Sequence, residues 1–179
     1  IMGALLVEKY DGTLGYCSAS LINDKMILTA AHCVSENSSW HNDFLFCPGA
    51  NSSSNMFPYG GASATYIFLY SGYFDNEYMP ADYAIIVLDK SMGKKLGWLG
   101  VYYNVPSSGK TFYQYGYPSN FEYRDTLYMN VSDYGAEECS EGTPCRMAVG
   151  SPMQEGGSGG PWCLNNNNIL YANGVMSQY

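Results

Sequence analysis

What most limits how this chain can fold is the brevity of its apolar runs. Gly3 to Val7, Ser18 to Ile22, Met26 to Thr29, Ala62 to Leu69 and Ala84 to Leu88 are each short, with Gly, Asn, Ser and Pro between them. Runs of about four to eight residues bounded by turn formers read as strands. No window sustains the period of about 3.6 residues that an amphipathic helix needs. The 18 tyrosines and many β-branched residues suit pleated, half-buried surfaces better than helices. A second set follows at Gly100 to Tyr103, Thr111 to Tyr117, Leu127 to Val131, Arg146 to Val149, Trp162 to Leu164 and Ile169 to Ser177. Its spacing fits a meander of antiparallel strands, so the chain is expected to be all-β, a barrel or a sandwich.

Between the two sets, Asp89 to Gly97 is polar, contains glycine and carries Lys90, Lys94 and Lys95, three of the eight basic residues. It reads as a solvated linker between halves 1–92 and 93–179. Ser35 to Ser54, rich in Asn and Ser, reads as loop, and Asn165 to Asn168 as a turn. His41, inside that first loop, reads as a surface residue.

Composition removes several functional classes. The 179 residues are 46% hydrophobic, enough for a buried core. A net charge of −8, from 16 acidic and 8 basic residues, disfavours nucleic acid and anionic membrane as partners. No apolar run approaches the roughly 18 residues of a membrane-spanning helix. The chain begins at Ile1 with no charged-then-apolar leader, and so reads as a mature form. Six cysteines and the acceptor patterns Asn37-Ser38-Ser39, Asn51-Ser52-Ser53 and Asn130-Val131-Ser132 point to an oxidising, extracellular setting. Neither a Cys-x-x-Cys pair nor zinc-type histidine spacing occurs, and no glycine-rich phosphate loop ends in Lys-Ser/Thr, so no metal or cofactor is expected.

Chemistry concentrates in three places. Gly156-Gly157-Ser158-Gly159-Gly160-Pro161 offers a hydroxyl with almost no side-chain bulk around it, on a backbone free to turn its N–H groups toward a ligand. Thr29-Ala30-Ala31-His32-Cys33 offers a base: a serine hydroxyl attacks a carbonyl only if something takes its proton. Asp82, entering the apolar run Tyr83 to Leu88, offers a carboxylate to orient the imidazole. Asp89, at the far end of that run, competes with it, but the two are about 20 Å apart at the usual strand rise, so both cannot serve. The order His, Asp, Ser is one of the known triad orders.

On these motifs, and on Pro161-Trp162, Cys17 and Gly174 to Ser177, the chain resembles the chymotrypsin-like serine peptidases over nearly its whole length. The likeness is strongest to the trypsin-like and glutamyl-endopeptidase-like branch. It implies two packed antiparallel six-stranded β-barrels, the second truncated at its C-terminal end because the sequence stops just past a strand. It also implies a secreted, monomeric endopeptidase acting on polypeptide, with a pro-segment or inhibitor as its other partner. His32, Asp82 and Ser158 would form the triad, the N–H groups of Gly156 and Ser158 the oxyanion hole, and Ser177 a support for the aspartate. The position directly before the nucleophile, an Asp in the trypsin branch, is Gly157, so Ile1 is given no activating role. Substrate would meet Pro152, Met153, Glu155, Met176, Ser177 and Tyr179. Pro152 stands where a trypsin-type Asp would be, and Met176 where a glutamyl endopeptidase has histidine, so the resemblance implies a pocket for small or modest apolar side chains. It further implies a Cys17–Cys33 disulfide. Cys139–Cys145 follows as a short loop, and Cys47 with Cys163 as a third pair unless both are free thiols. The competing reading is a catalytically idle homologue serving as a binding or structural module on the same scaffold.

Overall fold

A computed structural model describes residues 1–121, 126–138 and 146–177. Eight strands fall in the first half: β1 (Met2–Glu8), β2 (Leu14–Leu21), β3 (Met26–Thr29), β4 (Ser35–Glu36), β5 (Ser39–Trp40), β6 (Asp43–Pro48), β7 (Ala62–Leu69) and β8 (Ala84–Leu88). Six of them close into an antiparallel barrel in the order β1-β2-β3-β8-β7-β6, and β4 and β5 form a small separate ribbon.

Local chemistry sets the turns. Between β1 and β2, Asp11 accepts bonds from the Thr13 amide (2.9 Å) and hydroxyl (2.6 Å), while Gly12 takes a φ of 83°. The alternation of β1 then sends Leu5 and Val7 inward against Leu21, Ile27, Phe46, Ile86 and Leu88, all 3% exposed or less. Fully burying a side chain of this kind is worth roughly 1.5–3 kcal/mol before chain entropy is subtracted.

The strand β6 corrects the reading of residues 35–54 as loop. It pairs with β1 from Gly3↔Pro48 to Glu8↔Asp43 and with β7 at Leu45↔Ser63 and Phe46↔Ala62, and so supplies the stave that closes the barrel. Phe44, Phe46 and Cys47 on it are buried. Its four-residue apolar run, Phe44 to Cys47, lies within a stretch rich in Asn and Ser.

The second half forms one six-stranded sheet from β9 (Gly100–Val101), β10 (Thr111–Gly116), β11 (Tyr128–Glu138), β12 (Arg146–Val149), β13 (Pro161–Asn166) and β14 (Ile169–Val175), ordered β12-β11-β10-β13-β14-β9. All pairs are antiparallel except β14 with β9, which run parallel and so depart from the expected meander. The ring of Tyr171 lies across Gly100, where an added Cβ would come within 2.6 Å of it. Asn167 and Asn168, with φ of 53° and 64°, make the tight β13–β14 turn that two left-handed residues favour. Phe112, Met153, Trp162, Leu164 and Met176 form this half's core. The halves meet where Leu99, Cys163 and Ala172 pack against Met2 and Leu28, and where Tyr117 packs against Ala4 and Cys47. The linker holds a short helix, Gly93–Leu96, anchored by Asp24 through the Lys94 amide at 2.9 Å. Among the described residues no helix is long and apolar enough to cross a membrane.

Candidate active site

His32 sits in a 3-10 turn, Ala31–Cys33, directly after β3. Ala30 and Ala31 are fully buried, so the turn packs against the barrel without a side chain to displace. Cys33 is bonded to Cys17 of β2, with their Cα atoms 6.3 Å apart, which fastens the turn to its neighbouring strand as expected.

Asp82 follows the 3-10 turn Met79–Ala81 and enters β8 with 3% of its surface exposed. Its Oδ2 accepts from His32 Nδ1 at 2.7 Å and from the Ser177 hydroxyl at 2.6 Å, and its Oδ1 accepts from the His32 amide at 2.8 Å. Burial works against the carboxylate's charge, but the bonds from His32 and Ser177 outweigh it, and the Asp82 pKa lies below the ordinary value. Asp89, the competing acid, is elsewhere: its Oδ1 accepts the Ser63 amide of β7 at 2.9 Å.

Ser158 lies in the loop before β13, which folds back on itself through Gly157 N–H to Gln154 C=O and Gly160 N–H to Gly157 C=O, both 2.9 Å. Gly156 has φ 85° and Gly159 φ 80°; a Cβ on the first would collide with the Tyr117 carbonyl, and on the second with Thr29 and the Ser18 carbonyl. Only glycine fits either position. Among the described residues the amides of Gly156 and Ser158 have no acceptor. A cleft of about 1050 Å³ at the junction of the halves is lined by His32, Ser158, Ser177, Gly156, Glu155 and Tyr117, among others. Among the described residues no direct hydrogen bond joins Ser158 to His32, and such contacts commonly tighten only when substrate binds.

The residues expected to meet substrate divide. Glu155 and Ser177 line the cleft; Pro152, Met153 and Met176 are not among its lining residues. Met153 and Met176 are 1% and 3% exposed in the second core, with the Met176 sulfur 2.9 Å and the Met153 Cβ 3.3 Å from where a Gly157 side chain would begin. The Pro152 carbonyl accepts Asn120 Nδ2 at 2.9 Å. Tyr179, and the expected pair Cys139–Cys145, lie outside the described residues. A Cys47–Cys163 bond does not form: both are buried free thiols in different apolar clusters, and burial pushes them up to about 11 and about 12. The sulfurs of Cys17 and Cys33 and a ring nitrogen of His32 lie within 4.8 Å of one another, but the disulfide leaves no thiolate there to hold a metal.

His41 is not a surface residue. It is 5% exposed, lines the cleft, stacks on Tyr10 with ring centroids 5.9 Å apart, and its amide donates to the Val34 carbonyl at 3.0 Å. Its only signal in the sequence was the apolar run just after it. Ser18 and Ser119, which hold the nucleophile loop, carried no signal at all.

An all-β molecule in two halves, with a histidine bonded to a buried carboxylate and opening on a cleft shared with a glycine-flanked serine, has the architecture of chymotrypsin-like serine peptidases. The sequence model of the trypsin family matches residues 4–179, and the chain belongs to that family. It is 32% identical over 111 residues to the glutamyl endopeptidase of Bacillus licheniformis, a match covering 60% of this chain and 34% of that protein's length. In fold it is similar to the protease Anisep from Arthrobacter nicotinovorans (TM-score 0.81, 24% identity, 98% of this chain and 82% of that one). It is also similar to a thermostable serine protease from an extremophilic microorganism (TM-score 0.84, 22% identity, 98% and 83%).

Proposed function

We propose that this chain is a secreted serine endopeptidase that cleaves polypeptide through an acyl-enzyme on Ser158. The observation that carries the reading is the 2.7 Å contact of His32 Nδ1 with a buried Asp82, on a ring that shares its cleft with Ser158. With Nδ1–H donated to Asp82, Nε2 keeps its lone pair. As Ser158 Oγ bonds to the substrate carbonyl carbon, its proton passes to Nε2, and the carbonyl electron pair moves onto an oxygen held by the N–H groups of Gly156 and Ser158. The same proton then goes to the departing amine nitrogen as the C–N bond breaks. Water repeats the sequence in reverse sense, freeing the acid and Ser158. Each oxyanion donor is worth about 3 kcal/mol of transition-state stabilisation.

Ser158→Ala should keep the fold and lower peptide hydrolysis by something on the order of 10⁶. A fluorophosphonate probe followed by peptide mapping tests the assignment directly: labelling at Ser158 is expected. A folded protein that stays unlabelled would favour the idle-homologue reading, whose support is the missing Ser158–His32 bond.

Met153 and Met176 are buried behind Gly157, and neither Pro152 nor Met176 offers a charge to a substrate side chain, so the residue before the cut is small or modestly apolar. A substrate charge buried there without a partner would cost several kcal/mol. Cleavage-site profiling on a mixed peptide pool should show cuts after such residues; dominant cutting after Arg, Lys or Glu would refute this. Halves 1–92 and 93–179 each contribute to the site, the protein acts as a monomer, and a pro-segment or inhibitor would compete in the same cleft. The Cys17–Cys33 bond suits an extracellular location.

A further inference from the structure

Ser18, the β2 residue after Cys17, is 1% exposed and makes four hydrogen bonds. Its hydroxyl donates to the Gly156 carbonyl at 2.7 Å and accepts the Tyr117 amide at 2.8 Å. Its own amide donates to the Ser158 carbonyl at 2.7 Å, and its carbonyl accepts the Thr29 hydroxyl at 2.9 Å. The one proton on Oγ is therefore committed, and the oxygen is held from a second side, so the hydroxyl has no rotational freedom left.

We propose that the Ser18 hydroxyl is a positioning residue for the oxyanion hole. The reading rests on the endopeptidase activity proposed above. The amide of Gly156 belongs to the peptide whose carbonyl is that of Glu155, and the Ser119 amide holds that carbonyl at 2.6 Å. In a trans peptide C=O and N–H point in opposite directions, so anchoring Glu155 C=O on the Ser119 side turns Gly156 N–H the other way. The next peptide is anchored through Gly156 C=O, and there the anchor is Ser18. Gly156 stands between two pinned carbonyls at a φ of 85°, where glycine alone resists nothing and would rotate if either pin were lost. Tyr117 shares the Ser18 hydroxyl, so the segment that carries Ser119 is tied to the same point. A first-half hydroxyl thus holds a second-half carbonyl 138 residues away, and through it one side of the turn that aims the Gly156 amide. Without it, the Gly156 carbonyl and the Tyr117 amide would be left without partners, and rotation of the loop is the nearest relief.

Three variants test this: Ser18→Ala, Ser18→Gly and Ser18→Thr. Ser18→Ala and Ser18→Gly should lower kcat by about 10- to 100-fold, less than the full loss of a donor, with KM changed no more than about twofold. Inhibition by a peptide aldehyde, whose adduct places an oxyanion in the hole, should weaken in parallel with kcat. Ser18→Thr retains the hydroxyl and should restore both. If Ser18→Ala does not fold, Ser18→Gly, which leaves no apolar methyl against the two polar groups, decides the matter. Wild-type kcat in either hydroxyl-free variant overturns the proposal, as does a Ser18→Thr enzyme as impaired as Ser18→Ala. Loss confined to KM also overturns it. These outcomes are separable from failure of the endopeptidase reading, in which the wild-type protein itself would not label at Ser158.

Discussion

Two groups near the cleft lose their contribution to stability as acid is added, and the pH at which each does so tells them apart. Asp82 has a depressed pKa, so its contribution to stability is complete above the ordinary carboxylate pKa and is lost as pH falls from there through the depressed value. His41 also has a lowered pKa, first through burial and then through Lys9, with Glu36, the His32 carbonyl and Asp11 acting the other way. The sign is the same as for Asp82, because each group binds its proton more weakly in the folded chain than in the unfolded one. Below its ordinary value of about 6.5 the unfolded chain takes up a proton that the folded one resists. The contribution of His41 is therefore complete above that pH and is lost as pH drops from there toward the lowered folded value. Melting temperature should accordingly fall between about pH 7 and pH 5, and more steeply in the wild type than in His41→Gln, which has no ring to protonate. Equal slopes in the two proteins would contradict the assignment.

At the scale of elements, β3, β7, β8 and β12 were readable to the residue, because each is a short run rich in apolar residues between more polar stretches. β6 was not. Its Phe44-Leu45-Phe46-Cys47 core is as apolar as β8, yet it lies among Asn and Ser, and average composition hides a short strand. What makes β6 a strand is pairing with β1 on one side and β7 on the other, which belongs to the partners and not to its own sequence. The parallel β14–β9 pair escaped for the same reason: sequence spacing shows where a strand lies, but not which way its neighbour runs. The third disulfide failed on a related point. Cys47 and Cys163 both sit on strands facing apolar clusters, and nothing in a cysteine count says which cluster each will join.

Over the whole molecule, the proposed triad of His32, Asp82 and Ser158 was legible because histidine is scarce, paired glycines mark out Ser158, and Asp82 stands at the entry of an apolar run. The chain has only two histidines. The residues that aim the machinery are common ones, and their worth comes only from what the fold brings to them. Ser18 is one serine among many until Gly156 and Tyr117 arrive beside it, and Ser177 acts on Asp82 from 95 positions away. That reach has a consequence in time. Chains whose stabilising contacts join distant residues must close long loops before those contacts repay the lost entropy, and so fold slowly. Either half could collapse on its own schedule, but the site exists only once positions 18 and 156, and 82 and 177, have met. On the proposed reading, competence to react therefore waits on the last of these distant meetings.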